Sequence, residues 1–279
     1  MLTRCLPGLA GAVAASTLAR PAALGASELP PQPGPGWPAQ RAKFERAWLD
    51  LLGDFPTGIP PLRPTVKEVA KEDGVTRYHV SFQAEADERV TGWLLVPDRA
   101  KKSPVPGIVC LHSTTFGSGK DSTIGLAGMR PQDPPEQWIS GYRNPEVGQA
   151  YGRDLARHGY VTLSIDLLND GERITGVRKG DCRAFYERHP GWSVIGKNIW
   201  DIMRSVDFLQ TLDFVARTQI GCTGWSLGGH STLFAAAFDS RIAAAISNGG
   251  VLDWHRTGAS WSRSDAFSAE PNAELTRRF

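Results

Sequence analysis

The stretch "TQIGCTGWSLGGHSTLFAAAF", residues 218–238, joins three patterns in one line. A short apolar run, "QIGCTGW", has the look of a buried strand, and "LGGHSTLFAAAF" has the composition of a helix. Between them sits Gly224-Trp225-Ser226-Leu227-Gly228, a G-x-S-x-G pentapeptide. A serine in a sharp strand-to-helix turn is held in a strained backbone conformation, so the residues two places to either side must be small. Gly224 and Gly228 meet that need. Such a turn presents the Ser226 hydroxyl at the carboxyl edge of a sheet, at the start of a helix whose unpaired N–H groups favour developing negative charge. A glycine-rich turn whose serine only caps the helix is the plainer alternative; a strand before, a helix after and glycines on both sides favour the chemical one.

Working outward, "VPGIVCLHS" (105–113), "VGQAYGRDLARHG" (147–159), "YVTLSIDLL" (160–168), "KNIWDIMRSVDFLQTL" (197–212) and "RIAAAISNGG" (241–250) complete an alternating order of strand and helix from Val105 onward. That order predicts a parallel sheet covered on both faces, with ligands at the carboxyl ends of the strands. Upstream, "VTRYHVSF" (75–82) and "RVTGWLLVP" (89–97) read as two antiparallel strands. Phe44, Trp48, Leu51 and Leu52 fall on one face of a helix within 39–52.

The chain has 279 residues, a formal charge of +2, and 22% charged residues of both signs without a basic block, so nucleic acid is not an expected partner. Residues 1–26 carry an early Arg4 and a small apolar run, a secretory signal pattern, and 27–38 form a linker containing "LPPQPGPGWP". The folded domain is expected over 39–279, in a secreted or periplasmic protein. No later run reaches the roughly 18 apolar residues of a membrane span. Cys110, Cys182 and Cys222 have no CxxC spacing, and Cys110 and Cys222 lie in apolar runs as small buried hydrophobes.

Acyl transfer at such a turn needs two N–H donors for an oxyanion, one from the residue after the nucleophile and one from the loop after an earlier central strand. Leu227 supplies the first; Ser113 or Thr114, just past "IVCLH", supplies the second. His112 reads as a residue that positions this loop. Gly119-Lys120 does not complete a phosphate loop, because Thr114 stands where its first glycine belongs and Asp121 where a hydroxyl should bind magnesium.

With these pieces in place, the chain resembles the acetyl xylan esterase and dienelactone hydrolase-like branch of the α/β-hydrolases, through "LLGDFP", "TGWLLVP", "LHSTTFGSGKDSTIGLAG", "GRDLARHGYVTLSIDLLNDGER", "IWDIMRSVDFLQTL" and "GWSLGGHSTLFAAAFDSRIAAAISNGG". The resemblance implies an α/β-hydrolase fold, a mostly parallel sheet with helices on both faces. It also implies a serine carboxylesterase acting on an acylated carbohydrate or small ester, without metal or organic cofactor. Ser226 takes the place of the family's nucleophile and the loop near Ser113 that of its oxyanion loop. Asp166 and Gly171 to Arg173 match as loop-shaping residues. Dienelactone hydrolases proper have Cys where Ser226 stands, which favours the esterase side.

In this fold an acid and then a histidine follow the nucleophile, each after a further strand. After "RIAAAISNGG" the chain turns polar, so the last strands and helices, and with them the triad acid and His, are expected to be lacking, and the chain to be a shortened form that is inactive or weak as an esterase as it stands. Asp253 is the one candidate acid, while His255 stands too close to it to orient on it and reach Ser226, and His230 lies one turn up the nucleophile's own helix. The strand "RIAAAIS" would then form a bare edge, open to self-association. Two other readings are a non-catalytic binding module with this fold and a prolyl-oligopeptidase-type peptidase, although the N-terminal part is too short for a propeller domain.

Overall fold

The computed structural model describes residues 34–114, 119–126, 150–174 and 182–250. The leader, most of the linker, Asp253 and His255 lie outside the described residues. The elements run α1 (Trp37–Leu52), β1 (Thr65–Glu72), β2 (Val75–Gln83), β3 (Arg89–Pro97), β4 (Val105–Leu111), α2 (Tyr151–Arg157), β5 (Val161–Ile165), α3 (Arg183–Arg188), α4 (Val194–Gln210), β6 (Val215–Trp225), α5 (Leu227–Phe238) and β7 (Ile242–Asn248). Contacts divide the chain between Arg41 and Ala42, and the unit from Ala42 onward holds the sheet.

The seven strands pair in the order β1-β2-β3-β5-β4-β6-β7. β1, β2 and β3 are antiparallel to their neighbours, and β5, β4, β6 and β7 are mutually parallel. Because β4 to β5 steps one way along the sheet and β5 to β6 to β7 the other, right-handed crossovers place α2 on one face and α4 and α5 on the opposite one. The packing agrees. A side chain at Gly107 would point at Leu209 of α4, whereas Cys110, three residues on and facing the other way, lies under Gly152 of α2. The core on the α4 side is aliphatic and aromatic, with the fully buried rings of Phe82 and Phe208 stacked 5.0 Å apart.

β1 escapes sequence reading because "TVKEVAKE" is exposed along almost its whole length. A solvated edge strand has no apolar stripe to betray it; its charges and the register shift at Glu68/Ala70 are devices that protect an edge. α1 differs from expectation at Phe44, which is 49% exposed, while Leu51 and Leu52 are buried.

The loop after β5 is pinned by charge. Asp166 is completely buried, and its carboxylate accepts from the Lys120 ammonium at 2.6 Å, the Lys120 N–H at 2.8 Å and the Thr91 hydroxyl at 2.7 Å. Cβ atoms at Gly119 (φ +49°) and Gly171 (φ +57°) would stand 2.1 and 1.9 Å from Asp166 Oδ1, so only glycine lets the chain wrap this carboxylate. The Lys120 ammonium reaches on to Glu172 at 2.7 Å, and Glu172 meets His79 at 3.0 Å. Arg173 donates to the Asp166 carbonyl at 3.0 Å and to Asp201 at 2.8 Å, and pairs with Glu88. Burial opposes charge on both Asp166 and Lys120. Their mutual attraction outweighs it, holding Asp166 below the usual aspartate value and Lys120 above the usual lysine value.

Removing one partner of a buried pair strands the other charge, at a cost of about 3–5 kcal/mol. Lys120→Met is therefore expected to lower unfolding free energy by about that amount in urea titrations. The depressed Asp166 pKa contributes stability above the ordinary value of 3.8, lost as pH falls through the lower native value. The raised Lys120 pKa contributes below 10.5, lost as pH rises through the higher native value. The gap between wild type and Lys120→Met should stay level between those limits and narrow below the acid one; a gap unchanged down to pH 2 would contradict the pairing.

Candidate active site

β6 delivers Ser226 with φ +53° and ψ −113°, a conformation few non-glycine residues adopt. The elbow has no room for side chains at its flanks. A Cβ at Gly224 would lie 2.4 Å from the carbonyl carbon of Gly228, and one at Gly228 would lie 2.1 Å from the Leu111 oxygen. The first turn of α5 thus rests directly on the end of β4. The Ser226 N–H donates to the Asn248 carbonyl of β7 at 2.8 Å, and the first helical bond runs from the His230 N–H to the Ser226 carbonyl at 2.9 Å. N–H groups in the opening turn, Leu227 included, have no acceptor within the helix.

Ser113 and Thr114 follow β4 immediately beside this contact; Ser113 is buried and Thr114 exposed. His112, fully buried, fixes their approach. Its Nδ1–H donates to the Ser113 carbonyl at 2.6 Å while Nε2 accepts from the Leu167 N–H at 2.9 Å, which sets the neutral tautomer. With both ring nitrogens engaged, His112 ties the loop after β4 to the loop after β5. Lys120 anchors the far end of the same loop on Asp166. Asp166 and Arg173 shape the β5 loop as the resemblance implied, Arg173 binding the Asp166 carbonyl from within. The Lys120 anchor escaped sequence reading. A lysine in "FGSGKDS" reads as surface, and its buried partner is 46 residues away in the chain.

His230 is buried at the side of α5, with Nδ1 3.1 Å from the Gly250 carbonyl. Burial lowers its pKa, only partly offset by that carbonyl, which keeps it neutral. Its bond ties α5 to the end of β7. Among the described residues, no hydrogen bond from a histidine reaches Ser226, and no group of His, Cys, Asp or Glu is placed to hold a metal. Cys110 and Cys222, on neighbouring strands, are free buried thiols, and burial pushes Cys222 up to about 12, so neither is a nucleophile. No described helix is long and apolar enough to cross a membrane.

Comparison with known proteins agrees with this architecture. The model of the prolyl oligopeptidase family matches residues 188–276, from α3 through the elbow. YtaP of Bacillus subtilis (strain 168), provisionally named a hydrolase, is 24% identical over 218 residues, which make up 77% of this chain and 66% of that protein. Among solved structures, one provisionally assigned as an acetyl xylan esterase from Bacteroides fragilis NCTC 9343 superposes with a TM-score of 0.59 at 21% identity, over 75% of this chain and 52% of the other. The glucuronoyl esterase from Solibacter usitatus gives 0.55 at 23% identity, over 80% and 61%. The chain spans between about half and two thirds of the length of these relatives. Strand order, strained serine and these likenesses converge: the chain is an α/β-hydrolase by fold, structurally similar to acetyl xylan and glucuronoyl esterases.

Proposed function

We propose that Ser226 is the nucleophile of a carboxylic-ester hydrolase acting on an acylated carbohydrate or small ester. The elbow carries this reading. A positive φ at a serine, with flanking positions that admit no Cβ, is strain a helix cap does not need. In the reaction, Ser226 Oγ attacks the acyl carbonyl and loses its proton to a base, and the carbonyl oxygen becomes an oxyanion. The Leu227 N–H and an N–H from Ser113 or Thr114 stabilise it. The alcohol leaves with a proton, giving an acyl-enzyme, and water then releases the acid and restores the serine. No described histidine hydrogen-bonds Ser226, so this reading leaves the base unassigned, and Asp253, outside the described residues, is the candidate acid. The fold relatives support the ester class: their names assign acetyl xylan and glucuronoyl esters.

A non-catalytic binding module is the second reading; among the described residues no histidine hydrogen-bonds Ser226. Fluorophosphonate labelling and hydrolysis of nitrophenyl acetate separate the two. In a form extended past β7 by the further strands of the fold, labelling confined to Ser226, with turnover that Ser226→Ala reduces by up to about 10⁶ while the fold survives, is expected of the hydrolase. An extended form that neither labels nor turns over is the binding module.

Export follows from the leader pattern of residues 1–26, and cleavage is expected between Ala19 and Ser27. N-terminal sequencing of protein recovered from a bacterial periplasm checks it; an intact Met1 there would refute cleavage.

The two edges of the described sheet are unlike. β1 has Lys67, Glu68, Lys71, Glu72 and a bulge, whereas β7 is "IAAAISN", uncharged, with Ala243 to Ile246 exposed and Ile246 at 67%. β7 has a register shift of its own against β6, between Ile242 and Ala244, but no charge, and an uncharged apolar edge is open to pairing with another strand. The occupant fitting a seven-residue uncharged strand is β7 of a second copy. Sedimentation should show a dimer that Ile246→Lys converts to monomer, and a monomeric wild type would count against the pairing.

A further inference from the structure

On the α2 face, at the end of the sheet away from Ser226, lies a groove of about 380 Å³, within the roughly 300–1,000 Å³ range of small-molecule sites. Its position follows from register. Arg77 of β2 pairs with Leu95 of β3, and Leu95 with Thr162, the second residue of β5, so these residues form one row near the amino ends of the parallel strands. Ser226 follows the carboxyl end of β6. The groove therefore shares no residue with the elbow, with Ser113 and Thr114 or with the loop after β5, although Ile124, Gly125 and Leu126 follow Lys120 in the segment after β4.

Leu95 and Ile124 lend the groove an apolar floor, and Arg77, Arg153 and Arg157 border it against one carboxylate, Glu72. The arginines are held differently. The Arg77 guanidinium lies over the Trp93 ring, 5.4 Å from its centre, and no ion pair joins it to a carboxylate among the described residues. Its Nε is a buried donor without a partner. Buried donors are normally satisfied, and leaving one unmade costs about 1–3 kcal/mol. Arg153 crosses the place where a side chain at residue 125 would be: a Cβ on Gly125 (φ +79°) would stand 2.7 Å from its Nη1. Among the described residues its ion pair is with its neighbour Asp154, at 3.3 Å. Arg157 is tied to Asp73 at 2.6 Å in an exposed pair at the rim, a kind worth little.

We propose that this groove is a binding site for a carboxylate carried on a body with an apolar face. The carboxylate takes the guanidinium of Arg77, which is held over Trp93 without a carboxylate partner among the described residues, with Arg153 as second donor, while the body lies on Leu95 and Ile124. A planar guanidinium is the side chain suited to bidentate recognition of a carboxylate. A sugar acid and an aliphatic acid share this chemistry. The inference stands apart from the hydrolase reading, since it uses none of the same residues.

Titration calorimetry on the full chain, with digalacturonate, octanoate and neutral xylobiose as probes, tests it. Saturable binding of at least one acid, weakened by salt, with no binding of xylobiose, is expected. Digalacturonate alone points to a sugar acid, octanoate alone to an aliphatic one. Arg77→Met, which keeps the stem on Trp93, and Arg153→Gln should each weaken binding about tenfold, as loss of a charge-assisted hydrogen bond does. Thermal melts verify that both variants are folded, and Ser226→Ala should leave the affinity unchanged. Failure of both acids to bind, equal binding of xylobiose, full affinity in both folded arginine variants, or loss of binding in Ser226→Ala would each overturn the proposal.

Discussion

The contact between the first turn of α5 and the end of β4 is the constraint on which the rest depends. With the Leu111 oxygen 2.1 Å from where a Gly228 Cβ would be, helix and strand meet backbone to backbone, and the serine between them has one conformation left. That closeness brings the helix start, with its unpaired N–H groups, against the loop that begins at His112. Strain at Ser226 costs on the order of 1–3 kcal/mol, and it persists because β7 holds the serine's N–H and the α5 ladder holds its carbonyl.

The described parts of the loops around that contact are held together by hydrogen bonds and charge. His112 bridges the loops after β4 and β5 through both ring nitrogens, and Asp166 with Lys120 does so again one layer out. Arg173, Asp201 and Glu88 then tie the β5 loop to α4 and to the turn between β2 and β3. Buried ion pairs add little net stability against an apolar filling, yet they penalise every arrangement that separates them. The Asp166–Lys120 pair follows the carboxyl end of β5, at the same edge of the sheet as Ser226 after β6, with β4 between them.

The sheet is asymmetric in the same sense. Its β1 side is charged, bulged and flanked by an arginine-lined groove, while its β7 side is apolar and bare among the described residues. The serine sits nearer the bare side, next to the strand that holds its N–H, so what covers β7 bears directly on the geometry of the elbow.

The sequence by itself determined the alternation of strand and helix from Val105, the strand-serine-helix turn at Ser226, and the places of Leu227, Ser113 and Thr114. These signals are local: periodicity, two glycines at fixed offsets and the end of an apolar run are all legible within a dozen residues. β1 was not legible, because an exposed charged edge carries no apolar period. Nor were the burial of Lys120 on Asp166, the tautomer of His112 or the row formed by Arg77, Leu95 and Thr162, since each needs partners far apart in the chain. Only the tertiary structure decided those, because a lysine becomes a buried anchor only when the fold removes water and supplies the opposite charge, and an arginine comes to lie over a tryptophan ring only when two strands pair in register.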